Sequence, residues 1–127
     1  MNRTSRAGFT LVEILTVIAI IALLSALIMG LAGLAQKKAA RSKAEAEITQ
    51  LESFISDYQA KYGQVPGSTN LLKSALASAQ HSLSNMVDPW GETYVYTNTS
   101  KATFYLYSKG GGTNANDKSM WIGNYPP

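Results

Sequence analysis

The 127-residue sequence predicts an α+β chain: one long N-terminal α-helix, membrane-spanning in its first half, packed through its second half on a small antiparallel β-sheet head. Three features predict it. Residues 14–35 carry no charge. Ala44, Ile48, Leu51, Ile55, Tyr58 and Tyr62 recur at alternating spacings of four and three. Two tyrosine-rich, β-branched stretches follow the turn sequence Asp88-Pro89-Trp90-Gly91.

The charge-free run comes first. As a helix its roughly 22 residues span about 33 Å, close to the ~30 Å hydrocarbon core of a bilayer. A cleaved secretory signal would carry an apolar core of only about 7 to 15 residues before a small-residue cut site, whereas this run is longer and leads into Gln36-Lys37-Lys38. Glu13, at its start, is the anomaly. A carboxylate costs on the order of 2.5 to 3.5 kcal/mol at mid-bilayer, and less near the interface, so a partner is expected. Lys and Arg lie only before Gly8 or beyond Gln36. Thr10 and Thr16 can offer it a hydrogen bond but no charge, so the counter-ion is expected from outside the chain. Gly30 and Gly33, late in the run, each cost about 1 kcal/mol of helix propensity against alanine; they soften the helix or let helices approach closely.

The helix is expected to continue to Tyr62, with the Ala44 to Tyr62 stripe covered by a head and Lys43, Glu45, Glu47, Gln50, Glu52 and Gln59 facing solvent. Gly63 supplies a left-handed cap and Pro66 prevents resumption. A short helix around Leu71, Leu72, Ala75, Leu76 and Ala79 follows the cap candidates Ser68, Thr69 and Asn70. Asp88-Pro89-Trp90-Gly91 makes a tight turn that starts the sheet. Residues 93–97 and 103–108 form an antiparallel hairpin, one face of which covers the helical stripe.

Composition excludes several classes of function. The chain has no cysteine, hence no disulfide, thiolate metal site or cysteine nucleophile. His81 stands alone among serines and alanines and reads as a solvated surface residue. No Ser/His/acid set and no metal cluster appears, so no enzyme is expected. The net charge of +3 includes Arg3 and Arg6 of a short leader, and the nearly balanced remainder carries no nucleic-acid footprint.

After its basic leader, Gly8-Phe9-Thr10-Leu11-Val12-Glu13-Ile14-Leu15 resembles the processing signature of type IV pilins and type II secretion pseudopilins. The resemblance implies a pilin-like fold and cleavage between Gly8 and Phe9 by a prepilin peptidase, with N-methylation of Phe9. It also implies a pairing of Glu13 with the N-terminus of a neighbouring subunit. The implied organisation is a leader at 1–8, a transmembrane and filament-core helix at 9–35, and a periplasmic head at 36–127. Asp88-Pro89-Trp90-Gly91 followed by Tyr94-Val95-Tyr96, and the helix exit from Tyr62 to Pro66, are similar to the major pseudopilin of type II secretion. The lack of cysteine also separates the chain from the many type IV pilins that close a C-terminal loop with a disulfide.

In that pseudopilin a calcium ion holds the C-terminal loop, and residues 108–121 are the analogous stretch. Asn114, Asn116 and Asp117, with backbone from Gly110 to Gly112, are the donors available here, and only Asp117 is a carboxylate. A calcium site and a plain Gly/Asn loop both stay open.

The function implied is a structural subunit of the bacterial inner membrane, its head in the periplasm. Copies polymerise into a helical periplasmic filament for type II protein secretion. The partners implied are the prepilin peptidase, an inner-membrane assembly platform and minor pseudopilins, with no nucleic acid. The alternatives are a type IV pilin for adhesion, twitching motility or DNA uptake, and a membrane-tethered binding module using Tyr94, Tyr96, Tyr105 and Tyr107.

Overall fold

In the computed structural model residues 7–127 are described; Arg3, Arg6 and the rest of the first six leader residues lie outside the described residues. The elements run α1 (Leu11–Tyr62), α2 (Thr69–Ser78), β1 (Val95–Asn98), β2 (Phe104–Ser108), a 3-10 turn (Lys118–Met120) and β3 (Ile122–Asn124). The chain divides into two units, one ending at Lys37 and one covering Lys38–Pro127, and α1 contributes to both.

In the first unit the helix leaves its whole apolar surface uncovered. Each of its large aliphatic side chains from Leu11 to Leu34 is half-exposed or more, and α1 is the one helix among the described residues long and apolar enough to cross a membrane. In water that surface would be unfavourable by about 25 cal/mol for each Å². It therefore calls for lipid or for other apolar helices. The helix runs unbroken through Gly30 and Gly33, where a side chain would meet nothing within 4 Å.

In the second unit the helical stripe does what its spacing predicts. Ala44, Ile48, Leu51 and Ile55 are buried against Leu72 and Leu76 of α2 and against Tyr96, Leu106 and Ile122 of the sheet. The stripe ends earlier than expected: Tyr62 is 58% exposed and its ring packs at a tilt against Tyr58, with centroids 4.4 Å apart. Gly63, at φ +76°, caps α1 by donating its N–H to Gln59 O at 2.7 Å. The exit strand is pinned to the hairpin by Val65 N donating to Lys101 O and by the Tyr96 hydroxyl donating to Pro66 O, 2.9 and 2.7 Å. The Ser68 hydroxyl accepts from Leu71 N and starts α2, as its position predicts.

The sheet is antiparallel in the order β1-β2-β3. Val95 pairs with Tyr107 and Asn98 with Phe104 in the hairpin, while Leu106 pairs with Asn124 and Ser108 with Ile122 on the other side. β1 begins two residues later than expected, because Thr93 makes only a single bridge to Val87 across the turn. β3 was not anticipated from the sequence. Three residues with a glycine at the centre give no alternation to read, yet Gly123 is the residue this position requires. Its φ is +113°, and a Cβ there would lie 2.5 Å from Leu106 O and 3.1 Å from Ile48 Cδ1.

Two expectations about polar residues are corrected. Glu47 does not simply face solvent: its carboxylate accepts a 2.6 Å hydrogen bond from the Tyr94 hydroxyl, and Lys43 Nζ lies 3.8 Å away. His81 is half-buried, packs edge-on against Phe54 at 5.7 Å, and its Nδ1 accepts from Leu83 N. It pins the loop after α2.

Burial, reinforced by the bond to Glu47, raises the Tyr94 phenol above its ordinary value, and burial pushes Tyr96 up to about 12. Both rings must stay neutral in the folded head. Their contribution is intact below the ordinary tyrosine value of 10.0 and is lost as pH rises through the raised value, so urea stability should fall between about pH 10 and about pH 12. Tyr94→Phe, which leaves the Glu47 carboxylate without its phenol donor, should cost about 1.5 to 3 kcal/mol at neutral pH by the same measurement.

Candidate functional site

The start of α1 is a reciprocal capping box. Glu13 N donates to Thr10 Oγ1 and Thr10 N donates to Glu13 Oε2, each at 3.2 Å, and Ile14 N donates to Thr10 O at 3.3 Å. A Thr-x-x-Glu spacing satisfies two amides that a helix end leaves without partners. Thr10 thus offers Glu13 the hydrogen bond expected of it, but through a reciprocal box with the backbone amides that sequence reasoning did not identify, although the Thr10-to-Glu13 spacing carries the signal. Among the described residues it has no ion pair. Thr16 plays no part in this: its hydroxyl donates back to Val12 O at 2.8 Å, as Ser25 does to Ile21 O at 2.7 Å. Both hydroxyls are satisfied inside the helix, as hydrocarbon surroundings demand.

Gly8 and Phe9 precede the helix in irregular backbone. Phe9 is 85% exposed and nothing lies within 4 Å of where a Gly8 side chain would be. The capping residues lie on the C-terminal side of the bond between Gly8 and Phe9, so the expected cut and the expected acidic partner occupy one short segment.

The second region is the loop between β2 and β3. It is anchored by Asp88, a buried carboxylate whose Oδ1 accepts from Trp90 N at 3.1 Å and Glu92 N at 2.8 Å, while Oδ2 accepts from the fully buried Ser108 hydroxyl at 2.7 Å. Ser108 Oγ in turn accepts from Gly110 N at 3.1 Å. The turn chemistry of Asp88 was legible in the sequence; its bond to Ser108 was not, because nothing local joins residues 20 apart. Gly91 completes the turn at φ +85°, donating to Asp88 O.

The structure brings Asn114, Asn116 and Asp117 into one exposed turn, in which one side-chain oxygen each of Asn114 and Asp117 is engaged by the turn itself. Asn114 Oδ1 accepts from Asn116 N at 3.0 Å and Asn114 O from Asp117 N at 3.1 Å. Asp117 Oδ1 accepts from Ser119 N at 3.0 Å and Ser119 Oγ at 2.6 Å, capping the 3-10 turn. The Ser119 hydroxyl, then its amide, holds this carboxyl below the usual range. Among the described residues no three His, Cys, Asp or Glu side chains converge as a metal would need. Gly110 and Gly111 pack tightly: a Cβ on Gly111 would lie 2.3 Å from Trp90 Cδ1.

The tyrosines proposed as a binding surface are occupied with packing. Tyr94, Tyr96 and Tyr107 are buried and Tyr105 is half-buried, which overturns their reading as an exposed ligand-binding set.

The model of the family described as Type II secretion system (T2SS), protein G, matches residues 33–125, and that of the Prokaryotic N-terminal methylation motif matches residues 3–29. The chain is 31% identical to the Type II secretion system core protein G of Pseudomonas aeruginosa over 140 residues, covering 98% of this chain and 99% of that protein. No solved structure matches it.

Asp88→Ala would strip three buried or half-buried donors of their acceptor at once. Bonds to a charged group contribute about 1.5 to 3 kcal/mol each, and they are not additive, so a loss of about 3 kcal/mol or more in urea-monitored stability is expected.

Proposed function

The chain belongs to the type II secretion system protein G family, and from that premise we propose that its N-terminal segment is a processing and docking device that turns a membrane helix into a filament subunit. The protein is a pseudopilin of type II secretion, carrying the N-terminal methylation motif and a candidate transmembrane helix. As such it assembles with other components of the secretion system. The family is structural, and its part in secretion is mechanical.

In this proposal a prepilin peptidase cuts between Gly8 and Phe9 and methylates the new amine of Phe9. The leader stays on the cytoplasmic side of the inner membrane and the head lies in the periplasm. Copies leave the membrane with help from an inner-membrane platform, minor pseudopilins start or cap the array, and a helical filament pushes folded cargo towards the outer membrane.

One observation carries the reading: Glu13 is hydrogen-bonded but has no ion-pair partner among the described residues, at the start of the charge-free run 14–35. Its bond from Thr10 N offsets part of the desolvation cost and leaves the negative charge in place. An α-amine with an ordinary pKa near 8 is cationic at neutral pH, and cleavage creates one at Phe9. The amine of a neighbouring copy supplies the missing counter-charge in surroundings where attraction exceeds its value in water, although desolvation takes back a good part of it. The same pairing sets the axial register between subunits. The uncovered aliphatic surface of the first unit then finds other helices where it had lipid.

Glu13→Gln separates the two roles of this side chain, because it keeps an acceptor for Thr10 N and removes the charge. It should be cut normally, with a mature mass beginning at Phe9, and should lose filament assembly as fully as Glu13→Ala. A Glu13→Gln protein that polymerises like the wild type would reduce Glu13 to a helix cap and end the ion-pair reading. Gly8→Val should block the cut and leave the leader on, seen as an intact N-terminus by mass spectrometry.

A further inference from the structure

The C-terminal loop is where this chain departs from the calcium-held loop implied by its family resemblance, and the departure has a positive counterpart. Calcium takes about six to eight oxygens, preferentially from carboxylates. Here Asp117 is the only carboxylate in residues 108–121, against the two lysines Lys109 and Lys118. Both bonds to its Oδ1 come from Ser119, and Asn114 has turned its side-chain oxygen to Asn116 N. The donor set and the local charge both fit a divalent cation poorly.

A cation is nevertheless present in covalent form. Lys118 Nζ donates to Pro126 O at 3.1 Å and lies 5.8 Å from the centroid of the Trp121 ring. Trp121 is stacked on Tyr107 of β2, with centroids 4.7 Å apart and planes 17° from parallel. Lys118 therefore ties the loop to the C-terminal tail while its charge rests against an aromatic plate built on the sheet. We infer that Lys118 takes the place of a bound divalent ion in closing this loop, so that the head folds without calcium. The Asp117 cap sets the 3-10 turn that aims Lys118 at the tail.

The test uses the full chain in detergent micelles, with thermal unfolding followed by tryptophan fluorescence and near-UV circular dichroism. Wild-type protein should melt at the same temperature in EGTA and in millimolar CaCl2, and equilibrium dialysis with CaCl2 should find no stoichiometric ion. Lys118→Met should lower the melting temperature by about 4 °C or more, equally in both solutions. Ending the chain at Tyr125, which removes the acceptor carbonyl and leaves the loop sequence intact, should shift it in the same direction. The inference is overturned if CaCl2 raises the wild-type melting temperature by about 4 °C or more over EGTA, or if one calcium per chain is retained. It is overturned equally if both alterations leave the melting temperature unchanged. Should Lys118→Met fail to fold, the wild-type comparison and the shortened chain decide. None of these readouts involves secretion or assembly, so they stand apart from the functional proposal.

Discussion

A carboxylate beside a surface of leucine, isoleucine and valine cannot be both ionised and alone, and this constraint organises the N-terminal unit. The capping box answers half of it, giving the Glu13 oxygen an amide proton and the first turn of α1 a defined start. The remaining half is charge, which a hydrogen bond from a neutral amide does not cancel. A subunit built this way is content in hydrogen-bonding terms and incomplete in electrostatic terms. That imbalance favours association with a molecule bearing a free amine while leaving the isolated helix well formed.

The head meets a different demand, which is to cover one stripe of an exposed helix with very little sheet. Three strands of three to five residues suffice because tyrosine does much of the covering. Tyr94 and Tyr96 each bury a ring and send a hydroxyl to an acceptor, one to Glu47 beside the stripe and one to the buried Pro66 O of the helix exit. A ring with a polar tip is suited to this geometry, since it fills volume and still satisfies an acceptor beyond it. The same demand explains why Gly123 stands where a larger residue would collide with both Leu106 and Ile48.

Much of this was legible from residue order. The charge-free run, the four-three stripe as far as Ile55, Gly63, the Ser68 cap and the Asp88 turn are local signals, and each appears where its spacing placed it. The motif from Gly8 to Glu13 was readable because its members are contiguous. What escaped was contact between distant positions: Ser108 on Asp88, Tyr94 on Glu47, and β3 beside β2. Glu47 looked like a surface acid because its neighbours on the helix are polar, and only the strand that crosses it gives it a partner. His81 misled for a related reason, since polar neighbours in sequence said nothing of Phe54 in space.

The position of the capping box bears on what proteolysis can accomplish. Thr10 and Glu13 both belong to the part of the chain that survives a cut after Gly8, so the capping box of the first turn is kept. Maturation at that bond would place a new amine directly before Thr10, at the edge of the box. The precursor and the mature subunit would then share the same capped helix start, and differ by the loss of a leader bearing Arg3 and Arg6 and the gain of an amine at Phe9. Assembly could be withheld or licensed without any refolding.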